Sequence, residues 1–312
     1  MTKMTRLSGN ERAIVVSALR HAAPYVRMYK NKTFVLKAGG EAFASEAATR
    51  SLIEQIAIFN QVGFRVVLVH GGGPQSTSLA KELGHEPTFV DGRRVTDQAA
   101  LDVATMVLNG QINTRIVAMC RAFGVPSIGI SGADASLIRA RKRPPREASD
   151  GSTVDYGFVG DIESVDVSVL ETQLADGFVP IVSSLSADDE GTLLNINADT
   201  VAAALACALG AEKLVLATGA PGIMESLDDP RSLISYIDRA GLERLRKAGR
   251  LSEGMLPKVA AIESALAGGV PRVHVISYEV PDSLLLEIFT NEGTGTLVVD
   301  SIEQLSPLEQ GT

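Results

Sequence analysis

The chain has 312 residues, of which 45% are hydrophobic, and its formal net charge is −8. This length allows one large α/β domain or two lobes, and no apolar run approaches the roughly 20 residues that span a bilayer. The negative charge disfavours a nucleic-acid surface, and the one basic run, residues 139–143, is explained by a solvated loop before Pro144. The composition therefore excludes membrane-embedded and nucleic-acid-binding classes and favours a globular protein.

The cysteines and the opening segment indicate a cytoplasmic protein. Cys120 and Cys207 lie in apolar helical patterns without metal-ligand spacing, so they are expected to be buried thiols of a reducing compartment. Residues 9–30 predict an amphipathic helix. A targeting signal is disfavoured, because polar and charged residues interrupt the apolar stretches of this segment. Pro24 should kink this helix or divide it into two segments.

Short β-branched runs alternate with helical patterns along the rest of the chain. Strands are predicted at residues 33–36, 65–69, 126–130, 179–182, 213–216 and 272–276. Helices are predicted at residues 41–61, 75–84, 96–122, 166–176, 198–209, 238–248, 257–268 and 281–290. The strands are apolar on both faces, which predicts a three-layer αβα sandwich with a mainly parallel central sheet and ligands at the carboxyl ends of its strands. Residues 137–162 break the rhythm and predict an antiparallel excursion near that edge.

Two early strands end in glycine clusters. Gly39 and Gly40 follow Lys37, and three glycines follow His70. Glycines after a strand let backbone N–H groups approach an anion, and the next helix N-terminus adds partial positive charge, so these turns are typical of phosphate or carboxylate binding. Neither cluster is a Walker A loop or a dinucleotide-binding fingerprint, and a different kinase architecture is therefore indicated.

Several words of the sequence resemble the amino-acid-kinase superfamily and, within it, the N-acetylglutamate kinases. They are NKTFVLKAGG at 31–40, VHGGGPQ at 69–75, DGRRVTD at 91–97, GFVGD at 157–161, NINAD at 195–199, GMLPK at 254–258 and LLLEIFT at 284–290, followed by GTGT. In order and spacing the resemblance covers nearly the whole chain. It implies an oligomerisation helix at 1–30, an amino-acid-binding lobe at 31–195, and a lobe at 196–312 that binds ATP and arginine.

The resemblance implies ATP-dependent phosphorylation of the side-chain carboxylate of N-acetyl-L-glutamate in arginine biosynthesis, with Mg²⁺ held mainly by the phosphates. A carboxylate is already ionised at neutral pH, so this reaction needs position and positive charge but no general base. Lys37 and Lys258 match the family's two lysines that flank the moving phosphoryl group. Asp199 matches the aspartate that holds these lysines in place, and Asn197 is the expected cap of the following helix.

Further residues match the family's substrate and nucleotide contacts. Arg94 matches the arginine that grips the substrate α-carboxylate, and Asn195 matches the asparagine that contacts the amino acid. The expected backbone contacts are Gly72 and Gly73 for the substrate, and Gly39, Gly40, Thr218 and Gly222 for phosphate and ATP. The chain departs from the family pattern at Ala38, Glu41, Ala133 and Gly219, where Gly219 replaces an acidic or amide residue near the expected nucleotide pocket.

The N-terminal helix resembles the one that interlaces dimers into a hexamer in arginine-inhibited N-acetylglutamate kinases. The family's arginine site matches Tyr25, His274, Glu287 and Gly293, so feedback inhibition by L-arginine and a homohexamer are expected. Here the carboxylate of Glu287 would pair with the ligand guanidinium, and the ring of Tyr25 would cover it.

The sequence leaves other functions open. One is a kinase for an aminoadipate derivative or for unmodified glutamate or aspartate. Another, from a different class, is an arginine-binding regulatory protein that has kept the fold and lost turnover. An N-acetylglutamate synthase is disfavoured, because nothing after residue 300 could form an acetyltransferase domain.

Overall fold

The structure is a computed structural model that describes residues 8–90, 93–148, 150–226, 229, 231–252, 254–290 and 293–304. Asp91 and Gly92 of the DGRRVTD word lie outside the described residues. The strands are β1 Thr33–Ala38, β2 Arg65–His70, β3 Phe89–Val90, β4 Arg93–Arg94, β5 Ser127–Ser131, β6 Ile138–Lys142, β7 Arg146–Glu147, β8 Thr153–Val154, β9 Gly160–Val165, β10 Val179–Ser183, β11 Leu185–Ala187, β12 Leu193–Asn195, β13 Lys213–Thr218, β14 Tyr236–Asp238, β15 Val273–Ser277 and β16 Thr296–Val299.

The α-helices surround these strands, in an order that alternates with them. They are α1 Gly9–Tyr29, α2 Glu46–Gln61, α3 Gly73–Glu82, α4 Gln98–Thr105, α5 Thr114–Ala122, α6 Ser168–Ala175, α7 Ala198–Ala208, α8 Arg239–Lys247, α9 Leu256–Ala267 and α10 Ser283–Phe289. A π-helical segment, Met106–Asn113, joins α4 to α5, and 3₁₀ turns occupy Gly40–Phe43, Asp134–Ser136 and Ile302–Gln304. None of the described helices is long and apolar enough to cross a bilayer.

The main sheet has eight strands in the order β14-β16-β15-β13-β1-β2-β10-β5. All neighbours are parallel except β15 and β16, so the predicted mainly parallel sheet is confirmed. The register places Lys37 beside Val69 on one side and Leu216 on the other, which brings the carboxyl ends of β1, β2 and β13 to one edge.

The hydrophobic core is divided by the sheet into two layers. Along β1, Val35 packs in one layer, whereas Phe34 and Leu36 pack in the other, as the two-residue period of a strand requires. Lys37 has the same parity as Val35 and faces the layer that contains α7. The sequence thus directs one charged side chain of a buried strand towards the helix that carries Asp199.

The predicted antiparallel excursion is present as a second, four-stranded sheet in the order β12-β11-β6-β9, with β7 and β8 paired as a hairpin. Two short strands at one end of the main sheet, β14 and β16, are absent from the sequence prediction. Their apolar runs are short and are fixed by pairing with distant strands, which local periodicity does not report.

Three helix predictions need correction. The helix predicted at 41–61 is a 3₁₀ turn followed by α2, because Ser45 caps a new helix through the N–H of Ala48. The helix predicted at 96–122 contains the π-helical segment. The prediction that Pro24 could divide the first helix is wrong: α1 is one helix with Pro24 inside it. Proline's fixed φ is itself helical, so the loss of one N–H donor does not end the helix here.

Candidate active site

Asp199 joins the two predicted catalytic lysines. Its Oδ1 lies 2.8 Å from the Nζ of Lys37, and its Oδ2 accepts a hydrogen bond of 3.0 Å from the Nζ of Lys258. The Lys37 contact is a buried ion pair. One buried carboxylate therefore fixes two ammonium groups from opposite ends of the sequence.

The three side chains reach this point from the end of one strand and the starts of two helices. Asn197 caps α7 by accepting the N–H groups of Asp199 and Thr200, as predicted, which leaves the Asp199 carboxylate available for the lysines. Lys258 lies in the first turn of α9, just after a proline that is well placed to start a helix. The segments NINAD (195–199) and GMLPK (254–258) therefore lie together in the fold, joined by the contact between Asp199 and Lys258.

Burial and charge set the ionisation of this trio. Burial would raise the pKa of Asp199, but the two ammonium groups outweigh it and the pKa of the carboxyl is lowered. Burial lowers the pKa of Lys37, and the negative charge of Asp199 offsets part of this effect. Asp199 is therefore held as a carboxylate, and its charge favours the ammonium form of Lys37.

A cleft of about 400 Å³ opens above the trio and is bordered by both glycine turns. Its lining includes Lys37, Asp199, Lys258, Arg94 and Asn195, together with Gly39, Gly40, Gly72 and Gly73. The structure therefore brings nine of the predicted site residues to one cleft. A second cleft of about 350 Å³ adjoins it and shares Gly73, Arg94 and Asn195 with it.

The two glycine turns are pressed together. A Cβ on Gly40 would lie 3.0 Å from the Cα of Gly72 and 3.0 Å from the Cδ of Pro74, so a side chain at position 40 would separate the turns. Gln75 ties them by donating from Nε2 to the carbonyl of Gly40 at 2.6 Å. Gly73 opens α3, and a Cβ added to it would meet nothing within 4 Å, so its backbone is accessible to a ligand.

Arg94 lies at the boundary between the two clefts. Its Nη2 donates to the Thr77 hydroxyl at 2.6 Å and to the Gly73 carbonyl at 3.2 Å, and the guanidinium lies 4.8 Å from the Phe89 ring centroid. Burial lowers the pKa of Arg94. Within the described part of the chain no carboxylate forms an ion pair with Arg94, so its positive charge is available to an anionic ligand. Asn195, at the end of β12, faces the same space.

Thr218 and Gly222 do not border either cleft. The Thr218 hydroxyl donates to the carbonyl of Ala220 at 2.8 Å, and a Cβ on Gly222 would lie 2.6 Å from the Thr296 hydroxyl, which gives both residues a structural role. Their contact with a nucleotide remains a prediction. Beside them, a Cβ on Gly219 would lie 3.0 Å from the Tyr278 hydroxyl, so Tyr278 occupies the space next to this departure from the family pattern.

His274, Glu287 and Gly293 of the expected arginine site lie together, and none of them lines the cleft. His274 Nδ1 lies 2.7 Å from Glu287 Oε1, and a Cβ on Gly293 would lie 2.6 Å from Glu287 Oε2. Tyr25 contacts Phe289 of α10 edge-on, with ring centroids 6.4 Å apart. The cluster also contains Lys213, whose Nζ lies 3.0 Å from His274 Nε2. Sequence reasoning missed Lys213, although a lysine at the start of a wholly apolar strand was the available signal.

Comparisons with known proteins agree with this architecture. The profile of the amino acid kinase family matches residues 32–277. The acetylglutamate kinase of Symbiobacterium thermophilum is 47% identical over 283 residues, which cover 91% of this chain and 97% of that protein. The acetylglutamate kinase of Myxococcus xanthus is 47% identical over 288 residues, 91% of this chain and 94% of that protein.

Among solved structures, the N-acetylglutamate synthase of Neisseria gonorrhoeae in complex with coenzyme A and N-acetyl-glutamate superimposes with a TM-score of 0.80 at 29% identity. The match covers 92% of this chain but 63% of the synthase, which is the longer protein. A carbamate kinase from Giardia shares the fold, with a TM-score of 0.61 at 15% identity. From the family profile and from relatives of this identity and coverage, the chain belongs to the amino acid kinase family and, within it, to the acetylglutamate kinases.

Proposed function

We propose that this chain uses ATP to phosphorylate the side-chain carboxylate of N-acetyl-L-glutamate in arginine biosynthesis. The observation that carries the proposal is the Lys37–Asp199–Lys258 bridge beneath a cleft bordered by two glycine turns. Phosphoryl transfer spreads negative charge over the moving group and the leaving nucleotide, and a pair of fixed ammonium groups is the charge that this transition state requires.

Each part of the cleft has a place in this reaction. Arg94 and Asn195 bind the acylated amino acid, with the guanidinium on its α-carboxylate. The backbone N–H groups of Gly40, Gly72 and Gly73 donate to the oxygens of the phosphoryl group, whose approach a side chain at these positions would obstruct. Lys37 and Lys258 lie on either side of it, and Asp199 keeps them from moving. No side chain needs to remove a proton, because the nucleophile is a carboxylate.

Mg²⁺ is proposed to accompany the nucleotide and to be held mainly by its phosphates. Among the described residues, the carboxylates that line the cleft are Asp199, which is paired with two lysines, and Glu41 of the first glycine turn. When bound, the ion neutralises phosphate charge. The nucleotide itself is assigned to residues 196–312 beside Thr218 and Gly222, and the amino acid to residues 31–195.

A hydroxamate assay that traps the acyl phosphate tests the substrate assignment. N-acetyl-L-glutamate, N-acetyl-aspartate, an acylated aminoadipate, and free glutamate and aspartate are compared at equal concentration with MgATP. We expect N-acetyl-L-glutamate to give at least about tenfold the rate of any other acid, since a changed chain length or a lost polar contact lowers transition-state binding. A faster rate with a free amino acid would contradict the acylated substrate.

We also propose that L-arginine inhibits the enzyme at the cluster of Tyr25, His274, Glu287 and Gly293, with Lys213 as a further member. Burial would raise the pKa of Glu287, but its contacts with His274 outweigh this and the pKa is lowered, which supports an ionised carboxylate for a guanidinium. The N-acetylglutamate synthase of Neisseria gonorrhoeae has been solved with L-arginine, at 26% identity and a TM-score of 0.75. Millimolar arginine should depress the wild-type rate and leave Glu287→Gln unaffected; equal rates with and without arginine in the wild type would refute the proposal.

A homohexamer is proposed from the surface of α1. Ile14, Val15 and Leu19 are 61%, 45% and 67% exposed, and a helix with such apolar exposure is typical of a protein interface. Light scattering should give a hexameric mass for the wild type and a smaller mass for the double variant Ile14→Glu/Leu19→Glu.

The cytoplasm is the proposed compartment, since Cys120 and Cys207 are both free thiols.

A second candidate function is an arginine-binding regulatory protein without turnover. One observation favours it: Glu41 Oε2 lies 2.6 Å from the position of a Cβ on Gly39, so a carboxylate lies against the expected phosphate site. Calorimetry with a non-hydrolysable ATP analogue and Mg²⁺ separates the two functions. A kinase should bind the analogue, whereas a pure arginine sensor should not.

A further inference from the structure

A chain of buried polar groups lies behind the second glycine turn. His70, the last residue of β2, is fully buried, with Nε2 3.1 Å from Asn113 Nδ2 and Nδ1 3.3 Å from the carbonyl of Gly71. Asn113 Nδ2 also donates to the carbonyl of Ile181 at 2.8 Å. An amide nitrogen only donates, so Nε2 of His70 accepts and Nδ1 carries the hydrogen that points to Gly71. Asn113 thereby selects one orientation and one tautomer of His70.

Asn113 ends the π-helical segment Met106–Asn113, and this segment presses on the same turn from behind. A Cβ on Gly72 would lie 2.7 Å from Ile112 Cδ1 and 2.9 Å from Leu108 Cδ2. Asn109 of the segment accepts a hydrogen bond of 2.5 Å from the Ser183 hydroxyl at the end of β10. π-helical turns are rare and often occur at functional sites. Here the segment contacts β2, β10 and the glycine turn together.

The edge strand β5 leaves space for Asn113. A Cβ on Gly129 would collide with Asn113 Oδ1 and would lie 3.1 Å from its Cγ, so the amide occupies a position that only glycine permits. Three residues thus form one arrangement: Gly129 leaves the space, Asn113 occupies it, and His70 accepts the hydrogen bond of the Asn113 amide. A core built only for packing would fill this space with apolar side chains, because buried polar groups are costly unless every one is paired.

We propose that Asn113 is a positioning residue for phosphoryl transfer: through His70, and with Leu108 and Ile112 behind Gly72, it fixes the direction of the backbone N–H groups of the second glycine turn. The inference rests on the proposed function, in which those N–H groups bind the moving phosphoryl oxygens. Asn113 borders neither cleft. Its effect is exerted on the transition state, because a turn displaced by less than 1 Å still admits ligands but no longer aligns its donors.

Asn113→Ala tests the proposal in the full-length enzyme. We expect kcat to fall by about 30-fold or more while the KM values for ATP and N-acetyl-L-glutamate change by less than about threefold. Affinity for MgADP with aluminium fluoride and N-acetyl-L-glutamate, which mimics the transferring group, should fall with kcat, whereas affinity for an ATP analogue should not. A structural role alone would not separate these two affinities.

The matched control for this variant is Gln55→Ala. Gln55 is an equally buried amide that accepts from the N–H of Leu284 and contacts neither glycine turn. The Gln55→Ala variant should lower the melting temperature as Asn113→Ala does. Its kcat per folded molecule should stay within about twofold of the wild-type value. Equal kcat values for the two variants would overturn the proposal.

Gly129→Ala provides a second route if Asn113→Ala folds poorly. The added methyl group displaces only the Asn113 amide and contacts Val117, on an exposed edge strand. Gly9→Ala is its control, because Gly9 lies in α1 and nothing lies within 4 Å of that position. We expect Gly129→Ala to lower kcat at least about fivefold with KM values retained; unchanged kcat and unchanged affinity for the transition-state mimic would refute the positioning role. An inactive wild type would instead refute the proposed function, so the two failures are distinguishable.

Discussion

The ammonium group of Lys37 and the carboxylate of Asp199 lie 2.8 Å apart, with their side chains only 7% and 5% exposed. The fold itself does not require a buried ion pair of this kind, because apolar residues of similar size often stabilise a fold as well. Lys258 contacts the other oxygen of the same carboxylate. We therefore interpret Asp199 as the residue that sets the distance between the two lysines.

Replacing Asp199 with asparagine should affect both stability and turnover. The two lysines would lose their shared counter-charge, so the free energy of unfolding should fall by about 3 kcal/mol and kcat by about 100-fold or more. Urea unfolding and steady-state kinetics measure these effects. Glu212→Gln is the control, since Glu212 pairs with the exposed Lys32 and should cost less than about 1 kcal/mol. A fully active Asp199→Asn enzyme would contradict the assigned role.

Arg94→Ala should raise the KM for N-acetyl-L-glutamate by about 10- to 100-fold and leave the KM for ATP unchanged, because the guanidinium is proposed to pair with the amino-acid substrate alone. The exposed Arg121 on α5 lines neither cleft, and Arg121→Ala should change neither constant. Initial rates over a grid of both substrates provide the measurement. A KM for ATP that rises as much as the KM for the amino acid would place Arg94 elsewhere in the mechanism.

His70 should make the fold less stable in acid. Burial lowers the pKa of His70 from 6.5 to about 4. Below pH 6.5 the unfolded chain binds a proton at this residue while the folded chain does not, so this contribution to stability is complete above pH 6.5 and is lost as the pH falls towards 4. The expected loss is about 1 kcal/mol between pH 6.5 and 5.5. Buried His274, whose pKa is also lowered, acts in the same direction.

Urea unfolding at pH 6.5 and pH 5.5 tests this expectation. His70→Gln removes the titrating group, so the stability of this variant should depend less steeply on pH than that of the wild type, whatever its absolute stability. Parallel pH dependences of the two proteins would show that His70 does not titrate as the structure indicates.

Ala135→Gly should stabilise the protein. Ala135 has φ 52°, in the left-handed region that costs a residue with a Cβ about 1 to 2 kcal/mol. Glycine removes this cost but loses more entropy on folding, so the expected gain is about 0.5 to 1 kcal/mol. Ala133→Gly is the matched control, because Ala133 has φ −77° and glycine there should destabilise. If Ala135→Gly destabilised the protein as much as Ala133→Gly, Ala135 would not be strained by its left-handed backbone conformation.

Much of the fold and of the cleft could be predicted from local patterns. The strands β1 and β2 are recognisable as apolar runs, each buried after its first residue. The glycines after them mark the ligand edge, because few other residues fit such turns. Resemblance then supplied Lys258 and Asp199, which lie far from Lys37 in sequence. Asn197 as the cap of α7 followed from the rule that an amide before a helix accepts its first N–H groups.

Other features have no local signal. The π-helical segment has ordinary helical periodicity, and its Asn109 and Asn113 form hydrogen bonds with residues of β10 that lie far away in the sequence. Lys213 belongs to the His274 cluster only because β13 and β15 are neighbours in the sheet. The occupation of the space beside Gly219 by Tyr278 depends in the same way on the pairing of strands that are distant in sequence.

The measurement that tests the central claim most directly is ATP-dependent acyl phosphate formation from N-acetyl-L-glutamate by the wild type, Lys37→Ala and Lys258→Ala. Fixed positive charge is assigned most of the catalysis, so each variant should lose about 100- to 1,000-fold in kcat while remaining folded. Wild-type turnover in either variant would contradict the account.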